Sequence, residues 1–370
     1  MSVPILDLSE QHKQLMPQLR EAFVDVIESG RLVLGHYVER FERELAQSLG
    51  VKHAVGVSSG TDGLALAFMA LNLGPGDEVI VSPFSYLHTA EAITRVGATP
   101  VFCDINPRTF NLDPEALEGA ITPRTQAIVA VHLYGLPCPM RRINELAERH
   151  GLKVVEDADM AIGASYHGAP AGSLGDLGVI SFYPTKSLAA AGDAGAVVTD
   201  DDAVAERLRN LRVHGLKPGY IVDEVGGAFR MDPLQAAFLS VKLPLLPELV
   251  DKRRGLAKRY KKLLESMPVT TPDSAEDIRH AYNLYTLRVR GGGREPLRHH
   301  LDAKEIGNRV YYPRPLHLQP VYAHLGYEKG SLPAAERAAD EVLSIPMYSD
   351  MSLEQQDEVV GAVRDYFMGD

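Results

Sequence analysis

The sequence predicts an α/β fold, with a mainly parallel sheet in a large domain and a smaller α+β domain at the C-terminal end. Three observations carry that expectation. Between about residues 54 and 200, short apolar, β-branched runs alternate with helical stretches, the texture of a parallel sheet with helices on both faces. The chain has 370 residues, more than one core usually holds at roughly 150 residues per domain. Beyond residue 280 a second α+β pattern begins. The boundary is placed near 240–250, giving residues 1–245 as the large domain, with its N-terminal helical segment, and 246–370 as the small one.

Leu8, Leu15, Leu19, Phe23, Val26 and Ile27 recur at helical spacing over residues 8–30, with Gly30 as the stop. Val38, Phe41, Leu45 and Leu49 repeat the pattern over 36–49. Candidate strands follow at Ala54–Val57, Glu78–Ser82, Thr99–Asp104, Ala127–His132, Lys153–Glu156, Val179–Phe182 and Gly195–Thr199. Helical patterns lie between most of them, at Gly63–Leu71, Tyr86–Val96, Asp113–Ala120 and Arg141–His150. Residues 232–267 read as helix, broken or kinked at Pro244 and Pro247. Tyr285–Val289 and Val310–Tyr312 read as strands of the small domain.

Hydrophobic residues make up 45% of the chain and charged residues 24%, which excludes a disordered or fibrous protein. The net charge of −11 argues against a general nucleic-acid binder, whose partner's phosphates need a basic face, though not against a local anion site built from backbone N–H groups. The two cysteines, Cys103 and Cys138, are too few for a disulfide scaffold or a paired-CxxC zinc site, and no metal site is expected. They read as buried thiols in a reducing cytoplasm. The N-terminus lacks a basic segment followed by a long apolar one, and no apolar run reaches the ~18 residues of a membrane helix. The expectation is a cytoplasmic protein with no membrane partner.

Three segments carry chemistry. Ser58-Ser59-Gly60-Thr61-Asp62-Gly63 follows a strand and opens a helix, where free N–H groups can cradle a phosphate; a capped helix after a tight turn reads equally well. Glu156-Asp157 ends a buried strand, and an acid there is costly unless paired; it suits a metal, a base, a cationic ligand or a structural pair. Ser181-Phe182-Tyr183-Pro184-Thr185-Lys186-Ser187 sets a lysine after another strand, before a Gly/Ala loop; burial depresses a lysine's pKa and frees its amine for Schiff-base chemistry. Gly172-Ser173-Leu174-Gly175 is not a GxGxxG opening a βαβ unit, so a dinucleotide site is unsupported. Together, a cradle, a strand-end acid and a buried lysine are the parts pyridoxal phosphate needs.

At this point the sequence resembles a known family, the DegT/DnrJ/StrS sugar aminotransferases, which use pyridoxal 5'-phosphate on the type I transferase fold. The resemblance runs nearly end to end. It includes Ser59-Gly60-Thr61-Asp62, Gly74-Pro75-Gly76-Asp77-Glu78, Val131-His132-Leu133-Tyr134-Gly135, Glu156-Asp157-Ala158, Ser181–Lys186, Arg230-Met231-Asp232 and Leu234-Gln235-Ala236-Ala237. It implies that Lys186 holds the cofactor's aldehyde and then shuttles the proton. It also implies that Asp157 pairs with the pyridinium nitrogen, that Gly60, Thr61 and Ser181 hold the phosphate, and that Tyr86 stacks on the ring. Tyr312 and His317 would approach the sugar. The implied donor is L-glutamate or L-glutamine, and the acceptor a 3- or 4-keto-6-deoxy sugar on a nucleotide. The implied assembly is a homodimer with a shared active site.

Three positions depart from the family pattern near the cofactor. Met160 stands where Gln or His is usual, Ser187 where Asn follows the lysine, and Ala228 where an Asn reaches the neighbouring subunit's phosphate. These departures suggest two alternatives: a widened, drier pocket for less polar ketones or amines, or a non-catalytic homologue that binds the cofactor or a sugar. Lys186 argues against the family's sugar dehydratases, which carry His there.

Overall fold

The computed structural model describes residues 3–369; Met1, Ser2 and Asp370, the outermost residues of the two expected domains, lie outside them. The central sheet has seven strands: β1 (His53–Val57), β2 (Glu78–Val81), β3 (Thr99–Phe102), β4 (Thr125–Val131), β5 (Lys153–Asp157), β6 (Leu177–Ser181) and β7 (Gly195–Thr199). Their spatial order is β1-β7-β6-β5-β4-β2-β3. β2 pairs in parallel with β3 and β4, β4 with β5, and β5 with β6, whereas β7 runs antiparallel to β6 and β1. Each strand coincides with one of the apolar runs to within two residues at either end.

Side-chain alternation divides the strands between two cores. Val55, Val57, Val79, Val81, Val129, Val155 and Val179 face one way, under α3 (Gly60–Ala70) and α4 (His88–Arg95). Ile80, Ile128, Ala130, Val154, Ile180, Ala196 and Val198 face the other way, where three further helices cover them. Those helices are α2 (His36–Leu49), preceded by α1 (Ser9–Ser29), α5 (Met140–His150) and α7 (Pro233–Lys242), the last following α6 (Asp202–Leu211). Both faces are therefore buried, which is why the strands read as continuous apolar runs. α7 is followed by a 3-10 turn at Leu243–Leu245 and then α8 (Leu246–Leu263), so the helical stretch breaks where Pro244 and Pro247 stand.

The C-terminal region has its own apolar cluster. It includes Tyr260, Leu297, Val359 and Val363 around the antiparallel pair β8 (Tyr285–Arg288) and β9 (Val342–Ile345). The packing does not follow residue 245 cleanly. Val3 bridges Ile306 and joins this cluster, while Leu316, Tyr322 and Ala335 pack into the main core. Val310–Tyr312 is not a strand. Arg309 makes only an isolated bridge to Ser344, and the Tyr311 carbonyl is taken by the Tyr134 hydroxyl instead of a ladder. The pairing strand is Val342–Ile345, unmarked in the sequence reading because this short run of three apolar residues and a serine follows straight on from a helix.

Candidate active site

Sheet register builds the site. Val57 and Ser181 both lie opposite Gly195, and Asp157 lies opposite Val179. The carboxyl ends of β1, β5 and β6 therefore meet at one edge, where open α/β sheets bind ligands. Beyond β1, the Ser59 hydroxyl caps α3 by accepting from the Asp62 N–H at 3.1 Å. Gly60 and Thr61 begin the helix, and the first N–H groups of a helix have no partner within it. The approach is close: a Cβ on Gly195 would stand 2.6 Å from the Ser59 carbonyl carbon and 2.8 Å from the Gly60 nitrogen. Ser181 lines the same cleft from the end of β6.

Alternation along β5 separates its two acids. Glu156 accepts from the N–H groups of Gly172, Leu174 and Gly175 and from His132 Nε2 at 2.8 Å, so it is a buried structural anchor. Asp157 turns to the cleft side. Its Oδ2 accepts from Thr89 Oγ1 at 2.6 Å and from His88 Nε2 at 3.0 Å. Burial alone would push the Asp157 carboxyl up, but the His88 imidazole, the Thr89 hydroxyl and the Lys186 ammonium outweigh it and hold the group below the usual carboxylate range. For His88 too, burial opposes the charge, and the Asp157 carboxylate wins, raising the imidazole. The two form a buried ion pair.

Lys186 sits in the turn after β6, only 8% exposed, its N–H donating to the Tyr183 carbonyl at 2.8 Å. The following loop is pinned from α7. The Gln235 side chain accepts from Ala191 N at 2.8 Å, and the Lys242 ammonium donates to the Ala189 carbonyl at 2.8 Å. Among the described residues no carboxylate pairs with Lys242, and burial pushes it down to about 8.

The cleft encloses about 470 Å³. Gly60, Thr61, Tyr86, Met160, Ser181, Lys186 and Tyr312 all line it, with Asp157 beneath His88. Tyr86 stands at the mouth, its ring 6.0 Å from that of Tyr312. Two expected residues lie elsewhere. His317 is turned inward by the 3-10 turn Leu316–Leu318, bonds Glu336 at 3.2 Å and packs against Phe102 and Tyr327, so it is a core residue. Ala228 is exposed, bridging Val213, and does not line this chain's own cleft.

The sequence reading missed His88, Asp159 and Asn283. His88 follows the loop after β2, a strand-end position that the same rule would have marked. Asp159 and Asn283 are buried, line the cleft, and each has an Oδ1 without a hydrogen-bond partner. The cleft that Met160 lines thus also holds two unsatisfied polar groups. His88, Asp157 and Asp159 bring their donor atoms within 4.8 Å of one another, and Asp157 Oδ2 already serves Thr89 and His88. Cys103 and Cys138 are buried free thiols, and burial pushes Cys103 up to about 12. Among the described residues no helix is long and apolar enough to cross a membrane.

Fold and site together define an α/β protein of the transferase type whose sheet edge gathers a buried lysine, a buried carboxylate–imidazole pair and the N-terminus of a helix. Residues 13–364 match the DegT/DnrJ/EryC1/StrS aminotransferase family, to which the chain belongs. It is 46% identical over 370 residues to a protein of Geobacillus stearothermophilus named "Pleiotropic regulatory protein", covering 99% of each chain. It is 43% identical to the dTDP-3-amino-3,4,6-trideoxy-alpha-D-glucose transaminase of Streptomyces venezuelae, covering 98% of this chain and 96% of that one. The crystal structure of S. venezuelae DesV in complex with a ketimine intermediate superposes with a TM-score of 0.95 at 43% identity, covering 99% and 98% of the two chains. The protein is an aminotransferase, and pyridoxal phosphate is its cofactor.

Proposed function

We propose that the protein transfers the amino group of L-glutamate or L-glutamine to C3 of a keto sugar carried on a nucleoside diphosphate, as a homodimer. The named relatives that act at C3 of UDP- and dTDP-sugars support the acceptor. The observation that carries the reading is the convergence of Lys186, the His88–Asp157 pair and the α3 N-terminus on one aromatic-walled cleft.

The residues present fit the cofactor. Gly60, Thr61 and Ser181 would hold its phosphate, Asp157 its ring nitrogen, and Tyr86 its ring face. When bound, pyridoxal phosphate supplies an electron sink at the substrate carbon. The chain supplies the rest. Asp157, kept ionised by His88 and Thr89, holds a proton on the ring nitrogen. Lys186 Nζ removes the proton from the donor's α-carbon and delivers one to the acceptor's former carbonyl carbon, acting as both base and acid in each half. Tyr311 and Tyr312 wall the side on which the sugar would lie. The retained Lys186 and Asp157 support a catalyst over a pure regulator, which needs no proton shuttle.

The test has two halves. The cofactor-loaded protein is mixed with L-glutamate or L-glutamine, and loss of its visible band marks the donor half-reaction. The product form is then given nucleotide-linked 3-keto and 4-keto sugars, with the amino sugar read by mass spectrometry. Amination at C4 alone, or of simple ketones alone, would overturn the acceptor assignment.

A further inference from the structure

The cleft holds a second acid for which the reaction above has no use. Asp159 is 5% exposed, and its Oδ1 has no hydrogen-bond partner. Its carboxyl lies against the first residue of α3: a Cβ on Gly60 would meet Oδ2 at 2.5 Å and Oδ1 at 2.6 Å. This is the turn at which the phosphate of the cofactor would sit. A carboxylate beside a phosphate dianion is repelled in a poorly solvated cleft, whereas a carboxylic acid offers the dianion a proton donor.

We propose that Asp159 couples cofactor binding to the uptake of one proton, being neutral whenever a phosphate occupies the α3 N-terminus. The proposal rests on the phosphate seat assigned above. The proton comes from solvent as the phosphate arrives and returns to solvent as it leaves; no other bond changes. The charged groups around Asp159 allow this. Asp157 from β5 is the repelling neighbour, and burial adds to it; His88 of α4, 3.4 Å away, and Lys186 after β6 pull the other way. The balance leaves the carboxyl at about 6 without the cofactor, so a proton is within reach at neutral pH. Asp62, on the same helix turn, bonds Ser58 at 2.6 Å and faces Arg95, so its charge is met elsewhere. Asp193 lines the cleft as well; Asp159 differs from it in being buried.

Calorimetric titration of the full-length protein, cleared of cofactor, with pyridoxamine 5'-phosphate tests this without relying on turnover or on a bond to Lys186. Wild type, Asp159→Asn and Asp159→Ala are compared from pH 5.5 to 8.5 in buffers of different ionisation heat. The wild type should take up more protons per ligand than either variant, approaching one extra at pH 8. Its affinity relative to both variants should fall roughly tenfold per pH unit above the carboxyl's own pKa. Equal proton counts with parallel affinity profiles would overturn the proposal, as would wild-type binding tighter than both variants at alkaline pH. Thr61→Ala reports on the seat itself and should weaken binding at every pH. If it does so while the Asp159 profiles coincide, only the proton coupling falls. If it changes nothing, the phosphate lies elsewhere and both readings fall.

Discussion

Lys186 and Asp157 do different work, and their variants should fail differently. Lys186→Ala removes the base that serves both halves of the reaction, so turnover should drop by on the order of 10³ or more, with the visible band of the covalently held cofactor lost and the melting temperature of the cofactor-free protein little changed. Asp157→Asn keeps the amine but removes the charge that holds the ring proton. A charged hydrogen bond is worth about 1.5–3 kcal/mol, so kcat should fall by roughly tenfold to a hundredfold while the visible band persists, altered in position. Stopped-flow absorbance separates the two, and identical behaviour would contradict the assigned roles. Asp159 carries a prediction about stability that needs no cofactor. Its folded-state pKa is raised from 3.8 to about 6, so the folded state holds that proton more tightly than the unfolded one. The resulting stability is complete below about pH 4 and is lost as pH rises to about 6. Asp159→Asn should therefore melt higher than wild type at pH 7.5, with the gap shrinking at pH 5. Thermal melts at the two pH values check this, and a gap that is constant or reversed refutes it.

At the scale of elements, the site depends on β7 running against its neighbours with no side chain at its first residue. Gly195 lets the turn before α3 approach so closely that a methyl group there would meet only backbone, at 2.6–2.8 Å. Backbone cannot yield as a flexible side chain can. Gly195→Ala should cost about 1–3 kcal/mol in denaturant unfolding and should weaken pyridoxamine 5'-phosphate binding, because the displaced turn carries Ser59 and Gly60. Unfolding and binding unchanged together would show that the turn is not held by this contact. The same elements show what a sequence can disclose. The seven strands are legible because both faces of the sheet are buried and each strand is a continuous apolar run between turn residues. Asp157, Ser181 and Lys186 are legible because each ends or follows such a run within a local motif. His88, Asp159 and Asn283 matter through neighbours dozens of residues away, and His88 meets Asp157 only because β4 alone separates β2 from β5. No local pattern encodes that adjacency. His317 shows the converse: a histidine inside a recognisable segment was turned into the core by a 3-10 turn that spacing did not mark.

At the scale of the whole molecule, the proposed homodimer needs a surface to bury. Tyr86 and Tyr183 at the cleft are 56% and 49% exposed, and Tyr220, in the turn of a short hairpin at residues 216–222, and Val225, just beyond it, are 90% and 86% exposed. These large apolar groups are the surface that the proposed homodimer would bury; Ala228, exposed and outside its own cleft, lies three residues from Val225. Light scattering should therefore give twice the 40.4 kDa of a single chain, and Tyr220→Asp combined with Val225→Asp should shift the protein toward monomer. If Ala228 faces the neighbour's phosphate, Ala228→Asn restores a donor to a charged group and should tighten cofactor binding by about 1.5–3 kcal/mol, a tenfold gain or more. The gain should vanish in the triple variant that no longer dimerises, because the donor then has no phosphate to reach. A gain that survives in the monomer would mean that the asparagine acts on its own chain. No gain in a proven dimer would mean that the two clefts are completed by other residues, and that the loss of a donor at Ala228 is compensated from within the cleft.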